Sequence, residues 1–311
     1  MNIIKNYLSL VKFSHTIFAL PFALIGFFLA TARNPLYVIT GQWNLNSTIG
    51  WGWDATNFVW WKSIGFKFIL VLICMVTARS AAMAFNRYLD RHFDAKNPRT
   101  AIREIPRGII SANSALLFTI FSCILFLVAC FFINRICFYL APIALFVILF
   151  YSYTKRFTAL CHLVLGLGLS LAPIGAYLAV TGRFDVLPIL FSFAVIFWVS
   201  GFDIIYALQD VEFDRSNKLH SIPAALGKKR ALHVSELLHL LSAACVIAAG
   251  VNGHFHWIYW IGIIVFTGML VYQHSIVKPD DLRRVNLAFM TANGIASVVF
   301  AALVITDLLL F

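Results

Sequence analysis

Residues 66–97 read FKFILVLICMVTARSAAMAFNRYLDRHFDAKN. The first nineteen are apolar enough to enter a bilayer, and the rest carry Asn86, Asp90 and Asp94 at a spacing of four. On an α-helix each step of four turns by about 40°, so the three share one face, and Arg79 lies on the same stripe. An uncompensated carboxylate near the membrane interior costs about 2.5 kcal/mol or more, so this placement demands a partner. The plain alternative is a solvated helix end with incidental acids, which Arg87 and Arg91 would suit.

The rest of the chain settles the fold class. It has 311 residues, of which 61% are hydrophobic and only 12% charged, with a mean hydropathy of +0.87. A soluble domain of this length carries roughly a quarter charged residues. The long apolar runs do not alternate as barrel strands would, so the spanning elements are helices. Nine apolar segments are expected, at about 11–32, 65–89, 113–133, 136–153, 160–180, 186–208, 232–250, 255–275 and 287–309. They describe an all-α, polytopic membrane helical bundle forming one domain over residues 1–311. No internal sequence repeat stands out. The N-terminal run is longer than the apolar core of a signal peptide and reads as a retained first span.

Charge orients the bundle. Of the 24 basic residues, seventeen fall on alternate connections: Lys5 and Lys12, the loop 91–112, Lys155 and Arg156, the loop 209–230, and Lys278, Arg283 and Arg284. The opposite side has few, among them Arg33, Lys62, Arg135 and Arg183. The positive-inside rule then puts the N-terminus in the cytoplasm, and nine spans put the C-terminus outside. The net charge of +11 is therefore read as orientation over anionic lipid and contact with an anionic substrate, not as nucleic-acid binding. The six cysteines form no C-x-x-C pair, so neither a disulfide framework nor a zinc site is expected. Residues 33–64 form a Trp-rich insertion on the outer side, read as an interfacial anchor or cap.

A second acidic stretch, GFDIIYALQDVEFDRSNK at 201–218, removes most of the ambiguity of the first. Asp203, Tyr206, Asp210 and Asp214 again fall on one helical face at the end of a span. The two stretches hold six of the 13 acidic residues, and both run into basic loops. Clustered carboxylates repel unless cations lie between them. Mg²⁺ commonly bridges carboxylates to phosphate oxygens, and Lys and Arg can contact the same phosphates. The implied ligand is a diphosphate at a membrane surface with a greasy partner, which a prenyl diphosphate satisfies. Tyr151-x-x-x-Lys155, at the end of the fourth span, is either an interfacial anchor or a further phosphate contact. A transporter would also place acids in spans, but near the midplane on broken helices rather than doubled at span ends.

These elements together resemble the UbiA superfamily of membrane prenyltransferases. N-x-x-x-D-x-x-x-D, the later D-x-x-Y-x-x-x-D-x-x-x-D and Y-x-x-x-K carry the resemblance, which covers nearly the whole chain. It implies a central cavity with a lateral portal to lipid, and two Mg²⁺ ions between the motifs. It implies that Asn86, Asp90 and Asp94 form one metal set and Asp210 and Asp214 the other, with these four aspartates as the catalytic carboxylates. Lys155, Tyr151 and Arg103 or Arg107 would bind diphosphate, while Arg79, Asp203 and Tyr206 would face an aromatic acceptor. Arg79 has a rival role as a structural salt bridge to an aspartate. The loops are nearest to 4-hydroxybenzoate polyprenyltransferases of quinone biosynthesis, with a site facing the cytoplasm in the inner (cytoplasmic) membrane. A related branch, associated with menaquinone made by the futalosine route, uses a dihydroxynaphthoate acceptor. Gln209 and Glu212 depart from branches that place further Asp there.

Overall fold

The computed structural model describes residues 3–12, 18–33 and 60–311. Most of the Trp-rich insertion lies outside the described residues. Among those described, eight helices are long and apolar enough to cross a membrane. They belong to α3 (Trp60–Leu89), α5 (Ala112–Ile133), α6 (Arg135–Thr154), α7 (Cys161–Thr181), α8 (Val186–Ala207), α11 (Lys228–Asn252), α12 (Trp257–Ile276) and α13 (Asn293–Leu310). The short pieces are α1 (Ile3–Leu10), α2 (Leu20–Ala32), α4 (Arg91–Lys96), α9 (Val211–Ser216) and α10 (Ile222–Leu226). The protein is a polytopic, almost wholly helical bundle.

The first expected span is shorter than read. A helix from 11 to 32 would carry Pro21 in its interior, where proline removes a backbone donor and clashes with the preceding turn. Instead α2 opens with Pro21 in its first turn and runs for 13 residues, about 20 Å against a hydrocarbon core of about 30 Å. It contributes packing through eight buried residues.

Local sequence sets the other boundaries. Asn134 alone connects α5 to α6: in an extended conformation it accepts from the Cys137 N–H at 2.8 Å and donates to the Leu178 carbonyl at 2.9 Å. Gly182 ends α7 at φ 65°, a left-handed conformation that glycine adopts without penalty.

In lipid, helices associate through close packing and internal hydrogen bonds. Trp198 of α8 is fully buried, with ring centroids 5.3 Å from Phe22 and 5.9 Å from Phe266. Its indole N–H donates to Asn293 Oδ1 at 2.8 Å, which also accepts from Gln273 at 2.9 Å. The Asn293 amide donates back to the carbonyls of Ala288 (3.2 Å) and Phe289 (3.1 Å). Those carbonyls belong to a π-helical turn, Leu287–Ala292, that precedes α13. The turn sets Phe289 against Tyr206 of α8, with centroids 4.3 Å apart.

Gly26 of α2 lies against the backbone of α7, where an added Cβ would fall 2.0 Å from the Pro173 carbonyl oxygen. Gly175, two residues along α7, faces open space. Gly26→Ala should therefore lower stability by about 1–3 kcal/mol, read as a fall in the thermal midpoint of the detergent-purified protein. Gly175→Ala should leave that midpoint unchanged or slightly raised.

Candidate active site

Both acidic stretches break at their central aspartate. Helix α3 ends at Leu89, Asp90 takes φ −90°, ψ 6°, and α4 begins at Arg91. After α8, a 3₁₀ turn (Leu208–Asp210) leads to Asp210 at φ −105°, ψ 5°, and α9 begins at Val211. The uninterrupted helical face expected from the spacing is thus two segments joined at a bend. Asn86 and Asp90 remain neighbours, with the Asn86 amide donating to Asp90 Oδ2 at 3.2 Å. Asp94 and Asp214, each the fourth residue of its six-residue helix, are buried.

Each aspartate is held by a different cation. Arg156 reaches Asp90 at 3.1 Å, Arg103 reaches Asp94 at 2.5 Å, and Lys155 reaches Asp214 at 2.7 Å. Arg99 grips Asp210 with a two-point fork and donates to the Tyr206 hydroxyl at 2.8 Å. Asn97 also donates to Asp210, at 3.1 Å, and Ser221 donates to Asp214 at 2.9 Å. The loop after α4 therefore serves both stretches: Arg103 on the first, Asn97 and Arg99 on the second. Lys155 and Arg156, adjacent after α6, do the same from another direction, one on each stretch. The two acidic sets converge.

Burial governs the charges here. Burial pushes the Asp90 carboxyl up to about 6, with Arg156 opposing and Asp94 adding to the rise. Burial works against the Lys155 ammonium, but Asp214 outweighs it and raises the lysine's pKa. Asp94 Oδ2 is buried with no hydrogen-bond partner, with Arg87 3.9 Å away; Asp214 Oδ1 is likewise buried without one and is met only by the Lys155 ammonium at 2.7 Å.

Deeper in the bundle, Tyr151 lies within electrostatic reach of Arg79, Asp90 and Asp203. Arg79 Nε is buried without a hydrogen-bond partner. Asp203 pairs with His162 of α7 at 2.7 Å. Arg107 is exposed, and none of the four aspartates pairs with it among the described residues. Glu212 does not join the cluster; it lines a separate cavity of about 540 Å³ with Arg215, Lys228 and Lys229. Sequence reasoning did not single out Arg99, Asn97, Arg156 or His162 as site residues. Only Arg156, beside Lys155, stood next to a motif position.

The UbiA prenyltransferase family model matches residues 19–295. The chain belongs to that family. It is 28% identical over 257 residues to a 4-hydroxybenzoate octaprenyltransferase of Tolumonas auensis, covering 81% of this chain and 90% of the relative. A 4-hydroxybenzoate octaprenyltransferase of Nitrosospira multiformis is 29% identical, covering 82% and 87%. The apo structure of a UbiA homolog from Aeropyrum pernix matches with a TM-score of 0.77 at 29% identity, covering 94% of this chain and 98% of that one. A UbiA homolog from Archaeoglobus fulgidus, solved bound to GPP and Mg²⁺, matches at 0.64 and 20% identity, covering 98% and 100%. The bundle is thus that of a membrane prenyltransferase.

The ion pairs carry a stability prediction. Removing the ammonium over a fully buried carboxylate leaves that charge, among the described residues, to the Ser221 hydroxyl. Lys155→Met should lower stability by about 2 kcal/mol, measured by thermal unfolding in detergent. Adding Asp214→Asn should restore part of the loss.

Proposed function

We propose that this chain transfers a polyprenyl group from its diphosphate to an aromatic acid of the 4-hydroxybenzoate type, in quinone biosynthesis. The observation that carries this reading is the convergence of two aspartate pairs, ringed by Arg99, Arg103, Lys155 and Arg156, at one end of a membrane bundle of this family. Its support on the acceptor side is the likeness to relatives named 4-hydroxybenzoate octaprenyltransferase. The basic bias of the loops on that side supports a cytoplasmic site in the inner membrane, with the N-terminus also inside and residues 1–311 acting as one domain.

The donor set suits Mg²⁺. Carboxylate oxygens are the hard ligands this ion takes, and the orphaned Asp94 Oδ2 is an acceptor without a donor. Asn86, Asp90 and Asp94 would hold one ion and Asp210 and Asp214 a second; a UbiA homolog solved bound to GPP and Mg²⁺ supports the choice of metal. When bound, the metal neutralises charge that develops on the departing diphosphate.

The chain's own residues supply the rest. Lys155 and Arg103, with Arg99 and Arg156 beside them, are poised to donate to diphosphate oxygens in charge-assisted hydrogen bonds. Tyr206, packed at a tilt against Phe289, and Phe202, 5.4 Å from the same ring, offer apolar walls that exclude water from an allylic cation. Arg79 offers a guanidinium to the carboxylate of the acceptor. Its rival role lacks support: each of the four motif aspartates has another cation, and no ion pair joins Arg79 to an aspartate among the described residues.

Purified enzyme should prenylate 4-hydroxybenzoate, or a dihydroxynaphthoate tested beside it, in a reaction lost with EDTA and restored by Mg²⁺. Asp90→Ala and Asp210→Ala should each cut kcat/KM at least about a hundredfold while the protein still inserts; near-normal turnover in either would remove the metal assignment. Arg79→Ala should raise KM for the acid about tenfold and leave KM for the prenyl diphosphate nearly unchanged, whereas equal loss of both would argue for a structural role.

A further inference from the structure

His162, the second residue of α7, is buried to 2% exposure in a region where an unpaired polar ring would be costly. Both of its nitrogens are engaged. The Ile222 backbone N–H donates to Nε2 at 3.4 Å. A backbone amide can only donate, so Nε2 carries a lone pair and the ring proton sits on Nδ1. Nδ1 then donates to Asp203 Oδ2 at 2.7 Å. Ser200, itself fully buried, sits 3.1 Å from the His162 carbonyl and shares its one proton between that oxygen and the nearer Ile196 carbonyl at 2.6 Å.

This arrangement takes one oxygen of Asp203 and leaves the other. The Asp203 side chain keeps 24% of its surface exposed, and Oδ1 makes no hydrogen bond among the described residues. A carboxylate fixed through one oxygen has lost most of its rotational freedom before a ligand arrives. Its free oxygen is then a preorganised acceptor. Tyr151 lies within electrostatic reach of both this carboxylate and Arg79. Under the acceptor assignment proposed above, the Arg79 guanidinium would match the acid of a phenolic acid and the free Asp203 oxygen its hydroxyl.

We infer that His162 is a positioning residue for the aromatic acceptor: it locks Asp203 so that the free carboxylate oxygen accepts a hydrogen bond from the acceptor's hydroxyl. The inference rests on the acceptor class proposed above. The same lock ties the two halves of the site together. Ser221 donates to Asp214 of the second aspartate pair at 2.9 Å, and the next residue, Ile222, fixes His162. One turn of chain therefore sets both a carboxylate of the diphosphate half and the imidazole that orders the acceptor half.

The test compares His162→Leu with His162→Gln in purified enzyme, using whichever of 4-hydroxybenzoate or a dihydroxynaphthoate the wild type accepts. Leucine removes both hydrogen bonds; the glutamine amide can still donate to Asp203 and accept from Ile222. His162→Leu should raise KM for the acid about tenfold and hold KM for the prenyl diphosphate within about twofold. His162→Gln should recover most of the lost acceptor affinity. A role in packing alone would move both KM values together, impair the two variants equally, or change only the unfolding midpoint, and any of these overturns the inference. If His162→Leu does not accumulate in the membrane, His162→Met, flexible and unable to donate, is read the same way. A wild-type enzyme that prenylates no aromatic acid defeats the proposed function itself. An active wild type whose acceptor KM is indifferent to His162→Leu defeats only this inference.

Discussion

A carboxylate removed from water must be answered by a positive charge, and that demand shapes the whole motif-bearing end of this bundle. Asp94 and Asp214 are among the most deeply buried acids of the described chain. The shorter ion pairs to them and their partners come from connections, Arg99 and Arg103 on one and Lys155 and Arg156 on another, while Arg87 of α3 stands further off. Each connection is drawn over the mouth of the bundle by the pairs it makes. Both connections reach both aspartate pairs, so the same loops order the two halves of the site.

The geometry that buries the second aspartate of each pair recurs with the doubled D-x-x-x-D. Asp90 and Asp210 both sit at a bend with nearly the same backbone angles, and each is followed by a six-residue helix that carries the partner acid in its fourth position. Had α3 and α8 continued straight, Asp94 and Asp214 would have extended outward along the helix axis. In the broken geometry Asp94 and Asp214 are buried and paired with Arg103 and Lys155 from the neighbouring connections. The short helices α4 and α9 owe their direction to this break and to the basic residues that close over them.

Much of this was legible in the sequence because it depends on local spacing. The doubled D-x-x-x-D and the basic loops after each copy are properties of contiguous segments, and hydrophobic runs of membrane length announce their own helices. The breaks at Asp90 and Asp210 were not legible, since spacing by four fits a straight helix as well as a bent one. Nor were the partners: Arg99 lies 111 residues from Asp210, and His162 lies 41 from Asp203, so nothing local links them. The shortening of α2 could have been read from Pro21, but an apolar run of sufficient length on both sides of it masked the signal.

The π-helical turn at Leu287–Ala292 has a consequence for how the last span is built. Such a turn holds one residue more than a regular helix requires, and each extra residue rotates the segment before the turn by about 100° relative to the segment after it. The stretch bearing Phe289 and the stretch bearing Phe300 are thereby set at different phases about a common axis. One is phased to Tyr206 beside the aspartates, the other to Phe22 and Phe266 of the same hydrophobic core. Asn293 keeps that offset by capping the carbonyls the wider turn displaces. A single span can thus present Phe289 to Tyr206 and Phe300 to Phe22 and Phe266 at once, two contacts that one straight helical phase would have to reconcile.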